Sequence, residues 1–346
     1  LKQKFMPNKS FFWFFLPAGL AMILFIGLPI ISTGIQSFYA QHDQVLKEVK
    51  KCDPFGCKVS VQIDQEASAK IRKEKPLGKF NGFGTYTDRN HLAFDELSAG
   101  WEAKTSFRNF LSYVLNLPFY KSLLFTLTFC FSVTPVVVCL GFIVALSVNT
   151  LAKSIKGPII FGTILPMIVT PLIGSLVLFW MIDAQGILGA TLQKILDDPN
   201  LSLKASTGLM WISLIVYGIW HAAPFAFVIF YAGLQTLPMD QIEAAEIDGA
   251  TRLQRIRYVV VPHLMPLVTF VALIQLMDNF RVFEPIVGFN AAAHATSISW
   301  FIFNDLGGET RQLSSASASS VLTIIGVSIL LLPVLVRTWN DFKGKT

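Results

Sequence analysis

Apolar residues gather along this chain in six long runs, at 11–35, 120–149, 158–182, 209–234, 264–283 and 319–337, with few charges inside them. Each is near or above the ~20 apolar residues that a helix needs to cross a ~30 Å hydrocarbon core. The pattern predicts an all-α membrane protein with about six transmembrane helices. Pro17, Pro29, Pro135 and Pro333 fall inside the runs, where neighbouring helices of a bundle can satisfy the carbonyls they free. The first run is too long, and too unlike a small-residue cleavage site, for a removable signal peptide. The chain starts at Leu1 rather than Met, so a few further residues are expected at the N-terminus.

Composition agrees with a membrane class. Of 346 residues, 53% are hydrophobic and only 14% charged, with a mean hydropathy of +0.56, whereas soluble domains carry about a quarter charged residues. The net charge of +6 would suit nucleic acid if it covered one face. It does not: the basic residues sit at the ends of apolar runs. Lys2, Lys4 and Lys9 precede the first run, Lys153 and Lys156 separate the second from the third, and Arg337, Lys343 and Lys345 follow the last. Six crossings put all three groups on one side, which the positive-inside rule makes the cytoplasm. Arg252, Arg255 and Arg257, between the fourth and fifth runs, agree. The expected organisation is a cytoplasmic N-terminus and first helix over 1–35 and an external loop domain over 36–118. A five-helix core over 119–337 follows, with a cytoplasmic connection at 235–262, and then a tail at 338–346.

Chemistry is sparse. In "CDPFGC", Cys52 and Cys57 bracket the turn-formers Pro54 and Gly56, and outside an inner membrane such close cysteines are expected to form a disulfide. The alternative is a pair of free thiols in a loop. Cys130 and Cys139 lie in the second run as apolar thiols. "NGFG" at 81–84 reads as a turn rather than a phosphate loop. The five histidines at 42, 91, 221, 263 and 294 have no metal-ligand spacing. Without a Walker motif, a repeat or a nucleophile–base pair, the chain is expected to be no enzyme, to bind no cofactor or metal, and to draw its energy from elsewhere.

The most informative stretch is "TLPMDQIEAAEIDGATRLQRIRYVVVPHLMP". Pro238 suits a first helical turn, and the acids at 240, 243, 246 and 248 favour the positive end of the helix dipole. Asp240 and Glu243 have capping-box spacing, and Asp248 and Arg252 are placed to pair on one helical face. Gly249 marks a bend or a close approach of another backbone. Ile242, Ala244, Ala245 and Ile247 give this helix an apolar surface that wants a partner.

This stretch resembles the EAA loop of ABC-importer permeases, whose pattern is E-A-A, three residues, Gly, nine residues and I-x-L-P. Glu243, Ala244, Ala245, Gly249 and Pro262 match, with Val259 and Val261 in place of Ile and Leu. The fuller "EAAEIDGA" is similar to the carbohydrate-uptake, maltose-type branch. "FRNFLSYVLNLPFYKSLLFTLTF", "VALSVN" and "LPMIVTPLIGSLVLFW" resemble that branch too, so that the similarity covers about 107–337. At 289–291 the chain has Phe-Asn-Ala where the family continues to Gly-Gly-Pro. The resemblance implies a type I ABC importer permease fold in a bacterial-type inner membrane. It further implies a second permease subunit, an ABC ATPase dimer that holds ATP and Mg, and an extracytoplasmic solute-binding protein. Glu243 and Asp248 would meet the ATPase.

A carbohydrate asks for an aromatic plane and for amides or carboxylates that meet its hydroxyls. At ~1.5 Å per helical residue, Trp220 falls about 16 Å deep and Asp278 and Asn279 about 21 to 23 Å along their helix. An acid at that depth faces a cavity or a partner. Asn279 and Trp220 are the first candidates for sugar contact, with Asp278, Ser175, Tyr217 and His221 behind them. By resemblance, the positions of Ser175, Trp220 and Asn279 line the sugar site of maltose-type permeases. The bland alternatives are packing for Trp220 and an Asp278–Arg281 pair. A polyol, a sugar–glycerol compound or glycerol phosphate is an alternative cargo. A secondary transporter, the rival from another class, would show inverted repeats and several intramembrane acids.

Overall fold

Within a membrane each backbone N–H and C=O must find its partner inside the protein, so long apolar runs have the helix as their solution. The computed structural model describes residues 9–42, 45–53, 56–103, 106–307 and 311–343, with the side chains of 9, 10, 48–63, 72, 337, 338 and 340–343 outside that description. The main helices are α1 (Phe11–Gln36), α2 (Pro118–Asn149), α3 (Lys153–Ile168), α4 (Pro171–Met181), α5 (Thr207–Leu234), the short α6 (Met239–Ile247), α7 (Arg252–Phe280) and α8 (Leu313–Lys343). Among the described residues five of these are long and apolar enough to span a membrane, and α3 with α4 supplies a sixth bent by 94°.

That bend corrects the expectation of one straight helix over 158–182. Pro171 opens α4, and a residue before proline is pushed out of the helical region. Thr170 (φ −61°, ψ 141°) and Val169 (φ −72°, ψ 128°) are accordingly extended. Elsewhere proline is absorbed without a break. Ile23–Gly27 precedes Pro29 and Ile256–Val260 precedes Pro262, and both are π-turns. In each, the next N–H reaches five residues back, Leu28 to Ile23 and Val261 to Ile256. A widened turn accommodates a ring that lacks an N–H and would clash with the carbonyl four residues back. The fifth span is therefore longer than expected: α7 starts at Arg252, well before the apolar run at 264.

The chain divides into two compact units, one of Leu1–Pro118 with Ile302–Thr323 and one of Phe119–Phe301 with Ile324–Thr346. Residues 302–323, expected in the core, belong to the first. In that unit the loop domain is not all helix. Strand β1 (Tyr39–Ala40) pairs with β4 (Lys79–Phe80), and β2 (Leu46–Asp53) pairs antiparallel with β3 (Gly56–Ile63). Asp64 caps the helix Gln65–Glu74 by accepting the Glu66 and Ala67 N–H groups, each at 3.1 Å.

The ladder sets Cys52 directly opposite Cys57 as backbone partners; both side chains lie outside the described residues. A bridge closing so short a loop is expected to add only about 2 kcal/mol. Peptide mass spectrometry without reduction should recover 52 and 57 as one linked species, and two alkylated thiols would exclude the bridge.

The second unit holds the main core. Phe125, Phe129 and Val133 of α2, Leu214, Phe227 and Phe230 of α5, and Leu264 and Val271 of α7 are all buried in one cluster. Water cannot drive helices together inside a bilayer, so close packing at small residues must. Gly141 of α2 meets α5 so tightly that a Cβ there would lie 2.5 Å from the Ala226 Cβ and 2.8 Å from the Phe227 nitrogen. Asn290 takes φ +48°, which a short amide side chain tolerates.

Candidate functional site

Two features of the second unit are the candidate sites: the acidic helix α6 and a cavity among α2, α3, α4, α5 and α7. Helix α6 starts after Pro238, whose backbone is extended and which offers no side-chain cap. The expected Asp240–Glu243 capping box is therefore absent, and such a box forms instead at Thr251 and Gln254, at the start of α7. The helix ends at Ile247 in a Schellman turn. Gly249 N–H bonds the Glu246 carbonyl at 3.0 Å, and Ala250 N–H bonds the Ala245 carbonyl at 2.9 Å. This turn sets Gly249 at φ +75°, a conformation that glycine adopts freely. A Cβ there would meet nothing within 4 Å, so the requirement inside this chain is conformational, not steric. Because the helix has ended, Asp248 and Arg252 do not share a helical face; the ion pair across the turn is Arg255 with Glu246.

Ile242 packs against the core. Glu243, Ala244 and Asp248 are exposed, as are Ile247 (86%) and Leu253 (74%), while Ala245 is half-buried. Two large aliphatic side chains so open, beside three acids, form a face without a partner among the described residues. Pro262 lies inside α7 and is exposed.

The cavity is about 510 Å³, within the range of small-molecule sites. Tyr217 and His221 line it from α5, Gln275, Asp278 and Asn279 from α7, and Arg281 and Glu284 from the segment that follows. Two of the expected sugar ligands are partly engaged by the α3–α4 break. The Tyr217 hydroxyl donates to the Pro171 carbonyl at 2.7 Å, and His221 Nε2 lies 3.1 Å from the Val169 carbonyl. A carbonyl only accepts, so Nε2 carries a proton, and in the neutral ring Nδ1 is the acceptor. Asp278 accepts from Arg281 at 2.7 Å, the pairing weighed from the sequence. The Asn279 amide donates to Thr134 Oγ1 at 3.0 Å and ties α7 to α2.

Neither Trp220 nor Ser175 lines this cavity. Trp220 is 47% exposed on another face of α5. Ser175 is fully buried, donates to the Leu172 carbonyl at 2.9 Å, and sits against Gly288. Gln275 and Glu284 were not singled out in the sequence, although 275, 278, 279 and 282 recur at the spacing of one helical face.

Thr134→Val and Asn279→Ala separate packing from recognition. Each is expected to cost about 1 kcal/mol of stability through the lost hydrogen bond. Transport should survive Thr134→Val and fall in Asn279→Ala, and equal transport by the two variants would confine Asn279 to packing.

A bent pair of half-spans, a cavity between helices, and an exposed acidic turn ahead of a span define a membrane permease of the ABC type. Residues 118–341 match the family described as binding-protein-dependent transport system inner membrane component, and the chain belongs to it. It is similar to the sn-glycerol-3-phosphate transport system permease protein UgpA of Brucella suis, 32% identical over 56% of this chain and 68% of that one. It is also similar to the trehalose/maltose transport system permease protein MalF of Thermococcus litoralis, 27% identical over 63% of this chain and 74% of that one. The chain spans 58% of the length of another relative, the probable ABC transporter permease protein y4oQ of Sinorhizobium fredii, to which it is 27% identical. In fold it is similar to a bacterial ABC transporter involved in import of the acidic polysaccharide alginate, with a TM-score of 0.59 at 20% identity, over 72% of this chain and 88% of that one.

Proposed function

We propose that this chain forms half of the translocation path of an ATP-driven importer whose cargo is a neutral carbohydrate, a disaccharide or other glycoside. The observation that carries the choice is the charge of the cavity wall: Asp278 and Glu284 against Arg281 alone, with Arg281 already held by Asp278. A phosphate or uronate wants several free cations, and this wall offers an excess of acid. Glycerol phosphate, the cargo named for one relative, fits it poorly. Asn279, Gln275 and His221 Nδ1 instead offer groups of the kind that pair with hydroxyls, and Tyr217 offers a ring.

In this reading α6 and its Gly249 turn face the cytoplasm and dock on an ATPase subunit that holds ATP and Mg. The segment 36–118 faces outward, towards a solute-binding protein, and a second permease completes the path. Trp220, exposed on α5, is free to meet that second permease or the cargo from the far side. The test is hydrolysis by the transporter reconstituted with the permease, ATPase and binding protein that co-purify. Disaccharides should stimulate it and glycerol 3-phosphate should not; the reverse order would overturn the cargo, and no co-purifying ATPase would overturn the coupling.

A further inference from the structure

A second cavity of about 470 Å³ lies wholly within the first unit and shares no lining residue with the first cavity. Its wall is polar: Gln41, Asn81, Thr85, Asp88, Asp95 and Ser314 line it, with Ser315 beside them. Much of that wall is already fixed. Asn81 Nδ2 donates to Thr85 Oγ1 at 3.3 Å, and one oxygen of Asp88 takes the Arg89 N–H at 2.8 Å. Ser315 donates to Asp305 Oδ2 at 2.6 Å, and its carbonyl lies 3.1 Å from Nε2 of the buried His91. Ser314 differs. It is only 5% exposed, and its Oγ has no hydrogen-bond partner among the described residues. A buried hydroxyl left so is destabilising, unless something that enters the cavity meets it.

The wall narrows what that can be. It has two carboxylates and no Lys, Arg, His or aromatic ring, which disfavours anions and apolar ligands. Among the described residues no three His, Cys, Asp or Glu side chains gather to hold a metal ion. The space also exceeds by more than tenfold the ~10–15 Å³ that a single water occupies on such a measure. A hydroxyl group suits this wall, since it donates to a carboxylate and accepts from an amide or another hydroxyl.

We propose that this cavity binds a neutral, hydroxyl-rich molecule of sugar or polyol size, with Ser314 as its buried partner and Asp88 and Asp95 as acceptors for its hydroxyls. The site is independent of the cargo cavity and of the cargo assigned to it.

Hydrogen exchange on the full chain in its assembled transporter tests this, with glucose, maltose and mannitol at millimolar concentration as probes and calcium chloride in a separate arm. A sugar or polyol should saturably slow exchange in 81–95 and 312–316. Asp88→Asn and Asp95→Asn should each weaken that protection. Ser314→Ala should weaken it roughly tenfold, the 1.4 kcal/mol equivalent of one hydrogen bond, while the Tm without ligand stays level or rises. Protection confined to 217–225 and 275–285 would overturn the proposal, as would protection by calcium alone or by no probe. A lowered Tm in Ser314→Ala would overturn it as well, by giving the hydroxyl a structural partner.

Discussion

Gly249→Val is expected to cut substrate-stimulated ATP hydrolysis of the assembled transporter roughly tenfold or more, and to leave the chain folded in the membrane. The Schellman turn that ends α6 needs φ +75° at this position. A left-handed backbone costs ordinary L-residues about 1–2 kcal/mol, and a β-branched side chain more. Valine would relieve that strain by re-aiming α6, and with it the exposed Glu243, Ala244 and Ile247 face. The core would not notice, since a side chain at 249 meets nothing within 4 Å. Gly249→Asn is the control, because asparagine accepts this conformation. Near-normal hydrolysis in the asparagine variant and loss in the valine variant would establish a conformational requirement. Loss in both would mean that the empty space around Gly249 belongs to the docked ATPase, and full activity in both would remove the turn from the coupling. Glu243→Lys should weaken docking through charge alone.

Gly141→Val is expected to cost about 3 kcal/mol, the upper part of the usual range for overpacking, and to reduce sharply the yield of monodisperse protein. The atoms that the new side chain would meet are the Ala226 Cβ and carbonyl carbon and the Phe227 nitrogen, at 2.5 to 2.9 Å. Backbone cannot swing aside as a long side chain can, so α2 and α5 would have to separate along the core that joins them. Gly157→Ala in α3 serves as the comparison. Nothing lies within 4 Å of that position, and alanine in a helix interior is favoured over glycine by roughly 0.5–1 kcal/mol. Thermal unfolding followed by size-exclusion chromatography should rank the two variants on opposite sides of the parent chain. Similar losses for both would show that the α2–α5 approach is looser than its geometry.

The contrast between legible and illegible features has a physical origin. Span positions follow from hydropathy, a property of each residue's own chemistry, and five runs became helices near their expected places. The α3–α4 break was signalled, by Pro166 and Pro171 in one run, but hydropathy counts proline as harmless and hides what it does to the residue before it. The capping box assigned to Asp240 and Glu243 failed because spacing cannot say where the backbone turns helical. Asp278 and Asn279 were findable as polar groups at depth. Trp220 was chosen for its chemistry, whereas the cavity face of α5 is set by rotation, and Tyr217, Gly218, His221, Ala222 and Phe225 share an arc that excludes it. The partners of Tyr217 and His221 could not be read at all, since carbonyls freed by a distant break leave no mark in a sequence.

Helix α7 runs without interruption from Arg252 to Phe280, so the residues just beyond the Gly249 turn and the Asn279 amide are two ends of a single strut roughly 40 Å long. A strut has no intermediate joints at which displacement can be lost. Whatever tilts its lower end also moves the wall of the cavity that Asn279 lines, and the Asn279–Thr134 bond fastens the upper end to α2. Free-energy linkage then runs both ways. If nucleotide-driven closure of an ATPase alters the affinity of the cavity by some factor, cargo in the cavity must alter the affinity of α6 for that ATPase by the same factor.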